Sequence, residues 1–306
     1  MRLVALCLGV MLIALGCSGS PDSQKSPHVS TSGKIAAERP SMAAAAGEEP
    51  QRRLVSVGGV LLSVLEAGTG DPVIFVHGVV TTSNIFWNYV NAYSPGYRGV
   101  AVDLRGYGDS DKPESGFNID QFAKDLIGLA DRLGFEKPVW VGVSMGGMIV
   151  QRLALDYPTR FRALVLVSTT DGPMILDKDI DTIGAPRDYR TVSKNILLES
   201  FPPGTNPALY QPLLSKIPTW NATVLREALR SMSQFDVHSR LSQIDAPTLV
   251  MVGAKDDVAT VAIAKGIAAE MRGAQVAEFN TGHFIMAEDP QAFGAVLGKF
   301  LRSLKS

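Results

Sequence analysis

A serine stands between two glycines where an apolar strand-like run meets a helix-like run. Residues 139–143 are apolar and rich in β-branched side chains, as in a buried parallel strand, and residues 147–154 suit a helix. Residues 142–146 read Gly-Val-Ser-Met-Gly, the G-x-S-x-G pattern of a sharp turn that lifts the serine hydroxyl above a sheet. Glycines are needed there because strand and helix pass very close. The pattern predicts nucleophilic chemistry at Ser144, beside the free N–H of Met145 at the start of the helix.

A serine hydroxyl is a weak nucleophile and needs an adjacent base to take its proton. The chain contains four histidines that could supply this base: His28, His77, His238 and His283. Both of its cysteines, Cys7 and Cys17, lie in the first segment. The body of the protein therefore has no disulfide, no cysteine nucleophile and no cysteine-based metal site.

The first 17 residues have the pattern of an export signal. A basic start is followed by the apolar residues 3–15, a run too short for a comfortable transmembrane helix. Residues 14–17 (Ala-Leu-Gly-Cys) resemble the lipobox of bacterial lipoproteins, although Ala14 stands where leucine is more usual. We expect processing before Cys17, lipidation of this cysteine and anchoring to a membrane of the bacterial cell envelope. A soluble secreted or periplasmic protein is the alternative.

Residues 18–52 are rich in Ser, Pro, Ala and Gly and contain almost no large apolar side chains. Such a segment cannot bury enough surface to offset its chain entropy, so it is predicted to be a disordered linker. The folded domain is predicted at residues 53–306. Lys and Arg number 29 against 30 Asp and Glu, a net charge of -1, so no nucleic-acid partner is expected.

Apolar runs alternate with helix-patterned segments through the rest of the chain. Strands are predicted at residues 54–57, 60–65, 73–76, 97–102, 139–143, 162–167, 247–252 and 275–279. Helices are predicted at residues 84–93, 118–133, 145–157, 258–271 and 290–304. This alternation predicts a mostly parallel sheet covered on both faces. Between residues 172 and 245 prolines and helical patterns replace the strands, which predicts a helical cap inserted between two strands.

Four stretches together resemble the α/β-hydrolase family over residues 54–306. They are Val76-His77-Gly78, the segment 103–110 (Asp-Leu-Arg-Gly-Tyr-Gly-Asp-Ser), the turn at Ser144, and Gly282-His283. The resemblance implies an α/β-hydrolase fold, with a mostly parallel eight-stranded sheet, helices on both faces and a cap after the sixth strand. It also implies a catalytic serine, acid and histidine in that chain order.

The family pattern implies that Ser144 is the nucleophile and that His283 is its base. His283 follows the last predicted strand in a loop opened by Gly282, so its ring can lie over the serine. His238, at the end of the helical stretch of the cap, is the alternative base; otherwise it is predicted to face the solvent or the substrate, and it is assigned to substrate binding. His28 lies in the predicted linker and carries no role.

The acid must orient the imidazole and stabilise its cation. The family position falls on Asp256, three residues after Gly253 at the end of the penultimate strand. Asp257 next to it is a competitor. Asp171, after the preceding strand, matches an acid position that some members of the family use.

An oxyanion hole requires two N–H donors aimed at the developing negative oxygen. The resemblance assigns these donors to Met145 and Val79. It makes His77 a structural residue that shapes the loop before Val79, and it makes Asp103 and Arg105 structural as well.

Specificity is predicted to depend on the cap and on one aromatic segment. Trp87 and Phe86 are candidates to line the acyl pocket, and packing in the core is the alternative. The apolar residues of the cap could line it too, or could only pack the cap onto the body. They are Met174, Ile175, Leu197, Leu198, Phe201, Leu209, Tyr210, Leu213, Leu214, Trp220 and Met232.

Serine at position 144 implies acyl transfer and excludes relatives that open epoxides or displace halide with a carboxylate nucleophile. We predict hydrolysis of small to medium hydrophobic esters or lactones, without a metal or organic cofactor. Three alternatives share the fold. They are a carbon–carbon bond hydrolase, a cofactor-free haloperoxidase or perhydrolase, and a catalytically silent ligand-binding protein.

Overall fold

A computed structural model describes residues 49–174, 189–215, 217 and 221–305. The predicted signal segment and most of the predicted linker, through residue 48, lie outside the described residues. The first strand begins at Gln51, so the fold starts two residues before the predicted boundary at residue 53. Within the described ranges, every helix is too short or too polar to cross a membrane.

Eight strands form one sheet with the spatial order β1-β2-β4-β3-β5-β6-β7-β8. In chain order they are β1 (Gln51–Val57), β2 (Val60–Gly68), β3 (Asp71–Val76), β4 (Tyr97–Val102), β5 (Val139–Val143), β6 (Ala163–Val167), β7 (Thr248–Gly253) and β8 (Gln275–Phe279). β2 pairs antiparallel with both β1 and β4, and all other neighbouring pairs are parallel. The predicted mostly parallel eight-stranded sheet is therefore confirmed.

Strands β5 and β6 are apolar along their whole length, as expected for strands covered by helices on both faces of the sheet. Every residue of β5, β6 and β7 is buried. The described α-helices are α1 (Ile119–Leu133), α2 (Met145–Asp156), α3 (Tyr189–Glu199), α4 (Gln211–Leu214), α5 (Ala222–Ser233), α6 (Val261–Glu270), α7 (Ile285–Glu288) and α8 (Pro290–Ser303). Asn118 caps α1 as predicted, since its side chain accepts the Gln121 N–H.

The prediction of a helix at residues 84–93 is wrong. The segment forms one 3-10 turn, Ser83–Phe86, followed by irregular turns. The Asp103 carboxylate accepts the Ser83 N–H at 2.7 Å, and the buried Phe86 ring lies 5.1 Å from that of Phe75. Tyr89, also buried, donates its hydroxyl to the Met286 carbonyl at 2.8 Å. These tertiary contacts outweigh a helical preference that is only weak in aromatic residues.

The cap is inserted after β6, as predicted. It contains α3, α4 and α5, with 3-10 turns at Pro207–Leu209 and His238–Gln243. Helix α5 turns one apolar face inward and buries Val224, Leu225, Ala228, Leu229 and Met232. Two of the predicted cap residues, Ile175 and Trp220, lie outside the described residues.

Candidate active site

The candidate nucleophile lies at a strained corner between β5 and α2. Ser144 has φ 55° and ψ -120°, a conformation that residues with a Cβ seldom adopt. A Cβ on Gly142 would lie 2.4 Å from the Gly146 carbonyl oxygen, and one on Gly146 would lie 2.3 Å from that of Val76. Both glycines are therefore required by the close passage of strand and helix, as the sequence pattern predicts.

Asp256 and His283 meet beside this corner. The ring Nδ1 of His283 lies 2.7 Å from Oδ2 of Asp256, and the two side chains are only 7% and 1% exposed. The other carboxylate oxygen accepts the N–H groups of Val258 at 2.9 Å and Ala259 at 3.0 Å. Burial alone would raise the pKa of Asp256, but the charge and hydrogen bond of His283 and the two N–H groups lower it overall. The carboxylate thus stays ionised beside the imidazole.

Ser144 and His283 line one cavity of about 40 Å³, room for a few water molecules. The Ser144 hydroxyl donates to Sδ of Met174 at 3.7 Å. Within the described part of the chain, Nε2 of His283 has no hydrogen-bond partner. Hydrogen bonds between a nucleophile and its base are often long without substrate and tighten when substrate binds. The two side chains therefore share the space in which a reacting carbonyl would lie.

The proposed oxyanion donors belong to the loop after β3 and to the first residue of α2. Val79 lines the cavity, and Met145 directly follows Ser144. Among the described residues, neither main-chain N–H has an acceptor. Both donors therefore remain free for a substrate oxygen.

His77 is buried and uses both ring nitrogens inside the fold. Nδ1 donates to the Gly78 carbonyl at 2.8 Å, and Nε2 accepts the Leu104 N–H at 3.1 Å. Because Nε2 must be the acceptor of this N–H, the proton is on Nδ1. Burial also lowers the pKa of His77 and keeps the ring neutral. This histidine fixes the loop that precedes Val79.

Asp103 and Arg105 also bind within the fold. Asp103 accepts the N–H groups of Ser83 and Asp109 and pairs with Arg52 at 3.0 Å. Arg105 forms a two-point ion pair with the buried Asp125.

His238 and Asp171 bind each other rather than the candidate nucleophile. Nδ1 of His238 lies 2.6 Å from Oδ2 of Asp171, and the His238 side chain is 60% exposed. Neither residue lines the cavity at Ser144. The prediction that His238 faces the substrate is therefore corrected, because the 3-10 turn His238–Gln243 places its ring at the surface. Asp171 likewise does not reach His283, which is paired with Asp256.

Trp87 and Phe86 also lie outside the cavity, which corrects their assignment to the acyl pocket. Trp87 is partly buried against the hydrophobic core, and Phe86 is completely buried within it. The physical reason is the irregular path of residues 83–93, which packs the Phe86 ring on Phe75 and Trp87 against the core.

The walls of the cavity come from both the body and the cap. Predicted members are Met174 and Met232, while Ile196, Ser200 and Val258 were not singled out from the sequence. Helical spacing indicates which residues of a cap helix are apolar, but it does not indicate which of them reach a distant serine. The remaining lining residues are Gly78, Val79, Val80, Leu229 and Phe284.

Comparisons with known proteins agree with this architecture. A family model described as alpha/beta hydrolase fold matches residues 71–192. The chain is similar to 3-oxoadipate enol-lactonase 2 of Acinetobacter baylyi, at 25% identity over 79% of this chain and 94% of that protein.

Two solved structures are similar over most of the chain. A hydrolase from Pseudomonas aeruginosa PA01 superposes with a TM-score of 0.76 at 26% identity, over 82% of this chain and 98% of the other. Est816, described as an N-acyl homoserine lactone degrading enzyme, gives a TM-score of 0.72 at 27% identity, over 81% and 100%.

Proposed function

Since the chain belongs to the α/β-hydrolase fold family, we propose that it is a serine hydrolase of small to medium hydrophobic carboxylic esters or lactones. The observation that carries this proposal is one cavity that holds both Ser144 and a His283 ring paired with Asp256. A nucleophile, a base and an orienting carboxylate are together the groups that acyl transfer requires.

The proposed reaction has two halves that use the same histidine. The Ser144 oxygen attacks the carbonyl carbon while Nε2 of His283 takes its proton, and Asp256 stabilises the imidazolium. The N–H groups of Val79 and Met145 stabilise the oxyanion. The imidazolium then protonates the leaving alkoxide as the carbon–oxygen bond breaks, which leaves an acyl group on Ser144. Water attacks this acyl group while His283 takes a proton from the water, and the imidazolium then returns that proton to the Ser144 oxygen as the acid is released.

The proposed substrate class follows from the cavity and from the relatives. Apart from Ser144, Ser200 and His283, the cavity is lined by apolar side chains and main chain, so it favours a hydrophobic acyl group. Its small volume favours short acyl groups over long ones. Lactones stay in the proposal because the names of two similar proteins specify an enol-lactonase and an acyl homoserine lactone degrading enzyme. Attack on a lactone leaves the new hydroxyl attached to the acyl group.

The proposal is tested by covalent labelling and a substrate panel. Wild-type protein should be labelled at Ser144 by a fluorophosphonate and should cleave some p-nitrophenyl esters or lactones. Ser144→Ala and His283→Ala should each lower kcat by about 10⁴-fold or more. The control Ser215→Ala changes an exposed serine of the cap and should leave turnover unchanged.

The same panel separates the alternatives that share the fold. Failure to label Ser144 would favour a silent binding protein. Turnover of vinylogous diketones in preference to every ester and lactone would favour a carbon–carbon hydrolase. Halide-dependent or peroxide-dependent oxidation at a rate above ester cleavage would favour a haloperoxidase or perhydrolase.

We also propose that Cys17 is lipidated and tethers the enzyme to a membrane of the bacterial cell envelope. The lipobox-like residues 14–17 and the polar segment after them support this proposal. Full-length protein expressed in a bacterium should fractionate with membranes and incorporate a radiolabelled fatty acid. Cys17→Ser should abolish incorporation, whereas Cys7→Ser should not. Incorporation that persists in Cys17→Ser would exclude this anchor.

A further inference from the structure

The loop that carries His283 is held from two sides. The His283 N–H donates to the Ser200 carbonyl of the cap at 3.1 Å, and the Thr281 carbonyl accepts the Lys255 N–H at 2.9 Å. Residues 281–284 are all buried, so each polar main-chain group in this loop needs a partner. One of these groups is the N–H of Gly282, the residue directly before His283.

Glu288, the last residue of α7, supplies that partner. Its carboxylate reaches back along the chain, and the Gly282 N–H lies 3.1 Å from Oε1 and 3.0 Å from Oε2. One side chain therefore binds the main chain directly before His283.

The loop has little room to move between Glu288 and the cap. A Cβ on Gly282 would lie 2.6 Å from Cδ of Pro202 and 3.1 Å from Oε1 of Glu288. The Phe284 ring lies 5.2 Å from that of Phe201, so the cap packs on this loop as well. Loss of the Glu288 carboxylate would leave a buried N–H without an acceptor and open space on one side of the loop.

Helix capping does not account for this glutamate. Asp289, its neighbour, caps α8 by accepting the Ala292 N–H at 3.0 Å. Glu288 is half-buried, and burial together with the charge of Asp256 raises its pKa, while the N–H groups of Gly282 and Phe284 and the Lys255 charge act in the opposite direction. The fold thus keeps this carboxyl where burial disfavours its charge and where it accepts the Gly282 N–H.

We propose that Glu288 is a positioning residue, which holds the His283 imidazole over Ser144 by accepting the Gly282 N–H. The proposal rests on the proposed function, in which His283 is the base. Among the described residues, Glu288 is not one of those that line the candidate cavity, so it acts through the loop. It should therefore affect the chemical step rather than substrate binding.

The test compares Glu288→Ala with Glu288→Gln on the best p-nitrophenyl ester. Removal of the acceptor should lower kcat by about 10-fold to 100-fold with KM changed less than threefold, because misplaced catalytic groups lower transition-state stabilisation. Glutamine keeps an amide oxygen for the Gly282 N–H and should restore kcat to within about threefold of wild type. Glu136→Ala, an exposed glutamate far from the cavity, is the control and should match wild type.

Thermal melts show whether each variant is folded. If Glu288→Ala does not fold, Glu288→Asp replaces it, since a carboxylate one methylene shorter falls short of Gly282 and should give the same loss of kcat. A kcat unchanged in the folded variant, or an equal loss in Glu288→Gln, would overturn the positioning role. Absence of fluorophosphonate labelling in wild type would instead overturn the proposed function, so the two failures are distinguishable.

Discussion

Asp256 binds three hydrogen-bond donors at the candidate active site, and this sets both its charge and the tautomer of its neighbour. The N–H groups of Val258 and Ala259 bind one carboxylate oxygen, and Nδ1 of His283 binds the other. With the pKa of Asp256 lowered, the carboxylate is an acceptor only, so the ring proton lies on Nδ1. Nε2 is then the nitrogen that can take a proton from Ser144.

Asp256→Asn tests this role. The amide can donate to Nδ1 and hold the wrong tautomer, and it no longer stabilises an imidazolium. We expect kcat for ester hydrolysis to fall by about 10⁴-fold in a protein with an unchanged melting profile. The matched control is Asp257→Asn, which changes the exposed neighbouring carboxylate and should change kcat less than threefold. Equal losses in the two variants would show that Asp256 has no special role.

Met174 covers the nucleophile and should limit the size of the acyl group. Its Sδ accepts the Ser144 hydroxyl at 3.7 Å, and its side chain lines the small cavity. Met174→Ala should therefore raise the ratio of kcat/KM for an octanoyl ester to that for an acetyl ester by about tenfold or more. Leu209→Ala, a partly buried cap residue outside the cavity, is the control. An unchanged chain-length preference would exclude Met174 as a wall of the acyl site.

The sequence predicts some of these residues and not others, for identifiable reasons. Ser144 and His283 lie in short segments whose local chemistry marks them, and Asp256 follows a strand that places it at the same edge of the sheet. Met174 is predicted only as one of many apolar cap residues, and Glu288 is not predicted, because their contacts depend on the path of the cap and of one loop, which no local pattern specifies. His238 failed as a substrate-facing residue because a polar side chain at a helix end can equally point to solvent.

The sharp turn between β5 and α2, which carries Ser144, requires a residue without a side chain at Gly146. Gly146→Ala would place a methyl group 2.3 Å from a carbonyl oxygen of β3, so strand or helix must shift. We expect the free energy of unfolding to fall by about 1–3 kcal/mol or more, together with loss of activity.

Gly266→Ala is the matched control, because this glycine lies inside α6 and an added Cβ would meet no atom within 4 Å. It should raise the free energy of unfolding by about 0.5–1 kcal/mol, as expected for alanine in a helix. Urea denaturation measures the free energy of unfolding of both variants. Equal stability of the two alanine variants would contradict the close packing at the turn.

Strands and helices could be predicted where burial gives the sequence an apolar pattern. They could not be predicted where contacts between distant residues determine the conformation. The continuous apolar runs of β5, β6 and β7 reflect a sheet covered on both faces. Residues 83–93 also carry many apolar side chains, but Ser83 and Tyr89 bind across the fold to Asp103 and Met286 and the segment does not form a helix. Local spacing alone does not distinguish these two outcomes.

At the scale of the whole molecule, the cap leaves the sheet after β6 and returns before β7, and its two ends are joined. The Asp171 carbonyl accepts the Val237 N–H at 2.8 Å, and the Asp171 carboxylate binds His238 at 2.6 Å. These two contacts join the end of the long insertion to its start. Because one of them involves a histidine side chain, its strength depends on pH.

His238→Gln should lower the melting temperature in a pH-dependent way. The hydrogen bond and charge of Asp171, with smaller contributions from Glu270 and Asp236, raise the pKa of His238 in the folded protein. Its contribution to stability is therefore complete below the ordinary histidine pKa of about 6.5 and is lost as pH rises through the higher folded value. Because the ring is exposed, we expect the melting temperature to differ from that of wild type by only about 1–3 °C at pH 5.5 in low salt.

Thermal melts at pH 5.5 and 8.5 should show that this difference is smaller at the higher pH, and Asp171→Asn should follow the same trend. A difference that stays constant between the two pH values would show that the charged pair does not hold the ends of the cap together.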